Sequence, residues 1–204
     1  MIRIGDFIES LDTSALARWA SLMPWEWVTR APEIVRELLM TLGEDYEIRG
    51  DIAVHKTAVI ENGAVLKGPL IIGPECFVAS GAYLRGGCWV GERCIFGPGA
   101  ELKTSFVFEG TKLAHFNFVG DSVLGAGVNL EAGSIVCNYR NERDDKEVRV
   151  RIDDRLRATG CDKFGALIGD RSRVGANAVL APGALLAKAT IIRRGEVFDA
   201  EQQR

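Results

Sequence analysis

VHKTAVIENGAVLKGPLIIGPECFVASGAYLRGGCWVGERCIFGPGAEL, residues 54–102, is the stretch that decides the fold. Stepping by six from Val54 reaches Ile60, Leu66, Ile72, Val78, Leu84, Val90, Phe96 and Leu102, nine apolar side chains in nine positions. Chance gives such a run on the order of once in a thousand registers. Four residues after each apolar position the side chain is usually small: Ala58, Ala64, Cys76, Ala82, Cys88, Cys94 and Ala100. The step returns at Leu124, Leu130 and Val136, and again at Ile168, Val174, Leu180, Leu186 and Ile192. A fixed period of this kind marks stacked units, each too small to bury its own apolar face.

This signature resembles the hexapeptide-repeat acyltransferases. The resemblance implies an all-β solenoid: a left-handed parallel β-helix in which three hexapeptides close one triangular coil of about 18 residues. The hand of the coil comes from the resemblance and runs against the usual rule for parallel strands.

Outward from the repeat, the chain divides into 1–48 as an N-terminal helical cap, 49–139 as β-helix, 140–162 as an inserted β-hairpin loop, and 163–204 as final coils and tail. Residues 32–42 read as a helix, with Pro32 in the first turn and Gly43 as the stop. A shorter helix is expected over 14–22. Trp19, Trp25 and Trp27 are expected to cover the open first coil. Thirteen of the eighteen residues 140–157 are charged, yet Val148, Val150 and Ile152 alternate with Arg149 and Arg151, which predicts a half-buried hairpin projecting from the helix. Between 103 and 123 the six-step slips by a residue or two.

The chain has 204 residues, with 25 Lys and Arg against 28 Asp and Glu, so no basic field for nucleic acid is expected. The longest uncharged run, Val174 to Ala187, is too short and too broken by Gly and Pro for a membrane helix. The opening MIRIGDFIESLD carries acids where an export signal is apolar, so a cytoplasmic protein is expected. Five cysteines without a CxxC pair point to reduced core cysteines, not to a disulfide framework or a zinc ribbon. Cys76 and Cys94, one coil apart, should stack. No metal is expected, and a γ-type carbonic anhydrase, which needs three histidine ligands, is disfavoured by a chain with two.

Lys67, Arg85 and Lys103 follow one another at 18-residue spacing, directly after apolar positions, and so predict a cationic column on one outer face suited to an anion. TSFVFEGTKLAHFNFVGDSVLGAGVNLEAGSIVCNYRN, residues 104–141, resembles the acetyltransferase domain of the bifunctional N-acetylglucosamine-1-phosphate uridyltransferase/glucosamine-1-phosphate acetyltransferases. The match covers about 78–139 and resumes at 163–182, and the whole chain resembles the stand-alone hexapeptide transferases. It implies His115 as the general base, and neutral imidazole suits proton removal from an attacking amine. It also implies Arg85, Lys103, Asn129, Asn138, Tyr139 and Lys163 as substrate contacts, with Glu101 orienting the site. Gly165, Ala166, Gly175 and Ala176 are implied to let the pantetheine arm of an acyl-CoA, expected to be acetyl-CoA, lie against the coil with backbone N–H groups facing the thioester oxygen.

Phe118 stands where the family has Tyr, and Ala176 where it has Ser. His55 reads as structural. The expected activity is N-acylation of a phosphorylated or nucleotide-linked amino sugar by a homotrimer with sites between subunits. The alternative is a non-catalytic sugar-phosphate-binding or scaffold solenoid.

Overall fold

In a computed structural model that describes residues 2–202, the repeat builds a left-handed parallel β-helix with three flat faces. Each six-residue unit supplies one short strand and one corner, and equivalent strands of successive coils pair in parallel. Face A runs from Ile52–His55 to Ala184–Leu186, face B from Val59–Ile60 to Ile191–Ile192, and face C from Val65–Leu66 to Val197–Phe198. The six-step residues point into the lumen and, with the corner side chains four residues on, form one continuous core from Leu70 to Ile192. Cys76, Cys88 and Cys94 line it as small apolar side chains. Burial pushes the Cys88 thiol up to about 11.

Register locates the slip. Leu84 pairs with Leu102, 18 residues on, but Leu102 pairs with Val119 and Val119 with Val136, each 17 on. One residue is missing from each of two corners between faces C and A, at Thr104 and at Asp121. Both tight corners turn through positive φ, 50° at Thr104 and 47° at Asp121. Buried hydroxyls bridge them: Ser105 Oγ donates to the Lys103 carbonyl at 2.7 Å and accepts from the Ser122 N–H at 3.1 Å.

The N-terminal segment does not cover the open first coil. It lies along the outside of face A. The outward column there is Ala53, Ile71, Trp89, Phe106, Val123, Leu167 and Leu185, apolar throughout. Trp27 and Trp19 are buried against it, with the Trp27 ring edge-on to Phe106 at 5.2 Å. Trp25 meets Phe164 at 6.0 Å. The expected helix over 14–22 is a single 3-10 turn, Ala17–Trp19, and the segment's helices are Pro24–Thr29 and Ala31–Leu39. Ala31, Ile34, Val35 and Leu38, at helical spacing, face inward. Gly87 admits the start of this helix, since a Cβ there would stand 2.8 Å from the Pro32 nitrogen. The first coil stays open, with Ile52, Val54, Ile60 and Leu66 lining its mouth beneath the antiparallel edge strand Tyr46–Arg49.

The insertion contains the hairpin Arg149–Ile152 with Arg155–Ala158. Its first strand lies down against face A instead of projecting, and Val148 and Val150 are fully buried. Arg140 pins the start of the insertion to the last coil: its guanidinium donates to Asp199 at 2.8 and 2.9 Å and to the Pro182 carbonyl at 3.0 Å. The Arg140 guanidinium beside Asp199 holds that carboxyl below the usual aspartate range.

Candidate active site

Two outer faces remain bare, B and C, and the candidate residues divide between them and the corner that joins them. On face C the outward columns are Tyr83, Glu101, Phe118 and Ile135, and beside them Lys67, Arg85, Lys103 and Gly120. The cationic column exists, but its members are already partnered. Arg85 donates twice to Glu101 Oε1, at 2.9 and 2.7 Å. Lys103 Nζ donates to both oxygens of Asp121, at 2.9 and 2.7 Å. Lys67 lies over the Tyr83 ring at 5.2 Å.

Asn138, from the coil above, donates its amide to the same Asp121 carboxylate. Gly120 makes room for this, because a Cβ there would stand 2.7 Å from Asn138 Nδ2 and 2.8 Å from the Phe118 ring. Lys163 resumes the coil after the insertion and lines a groove of about 430 Å³ with Asp121, Thr104, Gly86 and Thr29. Tyr139, half exposed, carries Lys146 of the insertion over its ring at 5.2 Å. Lys103, Asn138 and Lys163 therefore gather around Asp121, and the Arg85–Glu101 pair stands beside them on the stacked face C strands. The sequence reading missed Asp121. Its signal was spacing, since Asp121 stands 18 residues after Lys103.

A second cluster lies on face B. Asn129 sits between Lys112 and Arg173 in adjacent strands. With Glu131, Arg173, Gly175, Arg193 and Arg194 it lines a groove of about 470 Å³. Glu131 accepts from Arg194 at 2.7 and 2.8 Å and from the Ala176 N–H at 2.9 Å, which together hold its carboxyl below the usual glutamate range. The Ala176 amide is thus already engaged by a side chain of its own face. Gly175 has no room for a Cβ, which would stand 2.5 Å from the Arg194 nitrogen of the next coil.

Gly165 and Ala166 lie elsewhere, and here the expectation of a coenzyme wall is corrected. Ala166 faces the lumen, fully buried, and a Cβ on Gly165 would meet the Gly120 carbonyl at 2.3 Å. These two pack the corner and offer no surface.

His115 occupies the B–C corner, where the adjacent coils place Pro98 and Ala132 and the farther ones Asn62, Ser80, Ala176 and Arg194. It is exposed, and among the described residues only its backbone carbonyl is engaged, by the Gly133 N–H at 2.8 Å. His55 shows the opposite arrangement. Its Nδ1 is 2.9 Å from Thr57 Oγ1 and accepts from the Thr57 N–H at 3.2 Å, and its ring meets Tyr46 edge-on. His115 and Ala176 lie two coils apart on one corner, roughly 10 Å by strand spacing. His115 and the Lys103–Asp121 pair lie at opposite ends of a face C strand, roughly 10–15 Å apart by the rise per residue. Among the described residues no cluster of His, Cys, Asp and Glu is placed to hold a metal ion, and no helix is long and apolar enough to cross a membrane.

Residues 69–104 match the bacterial transferase hexapeptide (six repeats) family. That match lies within the repeat that builds the solenoid. Over 101 residues, half of the chain, it is 37% identical to a bifunctional sugar-1-phosphate nucleotidylyltransferase/acetyltransferase of Sulfurisphaera tokodaii, and it spans 25% of that protein's length. Over 144 residues, 71% of the chain, it is 32% identical to YaiX, an uncharacterised acetyltransferase of Escherichia coli, of which it spans 62%. Among solved structures, a Bacillus cereus acetyltransferase overlaps 71% of this hexapeptide-repeat chain and 74% of its own, with 10% identity and a TM-score of 0.45.

Proposed function

We propose that the protein transfers an acyl group, acetyl in the first instance, from a coenzyme A thioester to the amine of a phosphorylated or nucleotide-linked amino sugar. The observation that carries this reading is the state of His115. A corner that the two adjacent coils fill with Pro98 and Ala132 holds an exposed imidazole without a structural partner, between two polar clusters on the only bare faces among the described residues. The amine nitrogen attacks the thioester carbon and His115 accepts its proton. The thiolate of coenzyme A leaves and takes up a proton.

Face B supports the coenzyme: Arg173, Arg193 and Arg194 suit its phosphates, and the groove ends at the corner above His115. The Lys103–Asp121–Asn138 assembly with Arg85 and Lys163 supports the sugar phosphate. Within one chain that assembly lies too far from His115 to hold both ends of one small sugar phosphate. A homotrimer brings the His115 corner of one subunit to face C of the next.

One observation favours a second reading, a non-catalytic solenoid: Arg85 and Lys103 are neutralised by their own carboxylates before any ligand arrives. A thiol-release assay with acetyl-CoA and a panel of amino sugar phosphates and nucleotide amino sugars separates the two. Acceptor-dependent thiol release with an N-acetylated product by mass supports the transferase. No release with any acceptor, while ligands still bind, supports the scaffold.

A further inference from the structure

The residue after His115 breaks the pattern of its own corner. Three residues before the lumen side chain of each face C strand stand Gly63, Gly81, Gly99, Phe116, Gly133, Asn177 and Gly195, all at positive φ. Glycine adopts this conformation freely and asparagine tolerates it, but a phenylalanine there is a conformational outlier. Phe116 holds φ 51°, at a cost on the order of 1–3 kcal/mol. Its ring recovers nothing from the core: the residue is 70% exposed, and no described residue covers it. It is nonetheless seated. One edge of the ring fills the space that a Cβ on Gly99 would occupy, with Phe116 Cδ1 2.6 Å from that position, and the Phe116 N–H donates to the Pro98 carbonyl at 3.1 Å. The strain is thus spent on presenting an aromatic surface to solvent, one residue from the candidate base.

We infer that Phe116 is the wall of the acceptor pocket, against which the apolar C–H face of the reacting sugar ring packs. The inference deepens the acyl-transfer reading and rests on it. Position selects the occupant. Whatever lies against Phe116 is beside His115, so it is the ring that carries the attacking amine and not a distant nucleotide base or the coenzyme phosphates. A rigid aromatic surface binds such a ring with little loss of conformational freedom. The wall is a specificity element and takes no part in proton transfer.

The test compares wild type with Phe116→Gly, with Phe116→Asn as a second strain-relieving variant and Phe116→Tyr as the conservative one. Thermal unfolding is measured on the unliganded proteins, and binding of glucosamine 1-phosphate and of acetyl-CoA by calorimetry. The Gly and Asn variants should unfold at the same or a higher temperature than wild type. They should bind glucosamine 1-phosphate about five- to tenfold more weakly, since tenfold corresponds to about 1.4 kcal/mol. Acetyl-CoA affinity should stay within twofold, and Phe116→Tyr should match wild type in every measurement.

Unchanged glucosamine 1-phosphate affinity in the Gly and Asn variants overturns the wall and leaves the acyl-transfer reading standing. Loss of the assembly or a marked fall in melting temperature in both variants also overturns it, because Phe116 would then be a subunit contact or a packing residue. A wild-type protein that neither binds nor acetylates any amino sugar overturns the acyl-transfer reading, and the wall with it.

Discussion

Face A and face C are made of the same short strand in the same period, with the same apolar residue turned into the lumen, yet their outward sides differ. Face A carries Ile71, Trp89, Phe106 and Val123 and is roofed by the N-terminal segment and the hairpin. Face C carries Arg85 and Lys103, with Glu101 beside them, and is bare. The difference lies in residues the repeat leaves free. The lumen position sets the coil and is nearly uniform in chemistry along the chain. The outward neighbours tolerate either a second core or a polar surface, and this chain uses one face for each. Stability beyond the solenoid's own core is thus concentrated on face A, and the chemistry on faces B and C.

The largest expected effect on this division is at the roof. Trp27→Ala removes a fully buried ring from the face A core and should cost about 3–5 kcal/mol in denaturant unfolding. Arg85→Ala on face C, a partly exposed ion pair, should cost less than about 1 kcal/mol. Equal costs would break the contrast between the faces. Next is the buried tie between the insertion and the last coil. Arg140→Met leaves Asp199 without its partner and should cost about 3 kcal/mol.

The same pair sets a pH dependence. Because the folded Asp199 pKa is depressed, its contribution is present above the ordinary aspartate value of 3.8 and is lost as pH falls below it toward the folded value. Unfolding free energies measured from pH 6 to pH 3 should fall more steeply for wild type than for Asp199→Asn. Parallel curves would contradict the assignment. On face C, Lys103→Met should weaken binding of phosphorylated sugars about 10- to 100-fold, the worth of a charge-assisted hydrogen bond, and should also lower the melting temperature, because the buried Asp121 carboxylate loses its cation. The smallest structural effect is expected on face B. Arg194→Ala breaks an exposed pair with Glu131, so the melting temperature should not move, while acetyl-CoA binding weakens severalfold.

The lumen was legible in the sequence because a six-residue step and a small corner residue are one-dimensional signals. So was the stacking of Arg85 on Lys103, which follows from the 18-residue coil. The location of the roof was not read, although the signal is present. On face A each lumen residue is preceded by another apolar one without exception, as in Ile71–Ile72, Trp89–Val90 and Phe106–Val107, whereas that column is broken on face B by Lys112, Asn129 and Arg173 and on face C by Glu101. An unbroken column does not say which segment covers it, and three tryptophans near the start fit an end cap equally well.

The ion pairs were hidden for a different reason. Lys103 and Asp121 stand one 18-residue coil apart, but the coil is one residue short there and pairs Lys103 with Gly120, and a slip in spacing does not say which corner lost the residue. Ala166 was misread because the residue that resumes the coil after an insertion has no preceding period to show which way it points. Phe116 was passed over because a corner's sign of φ is invisible until its glycine neighbours are aligned coil by coil.

The central claim is that the partnerless imidazole at the B–C corner performs the proton transfer. It is tested most directly by comparing turnover of wild type and His115→Ala with acetyl-CoA and an acceptor that wild type acetylates. The account predicts a fall of about 10²–10⁴-fold in turnover, with acetyl-CoA affinity and melting temperature essentially unchanged, since the side chain is exposed and makes no structural hydrogen bond. Undiminished turnover in the variant would contradict it.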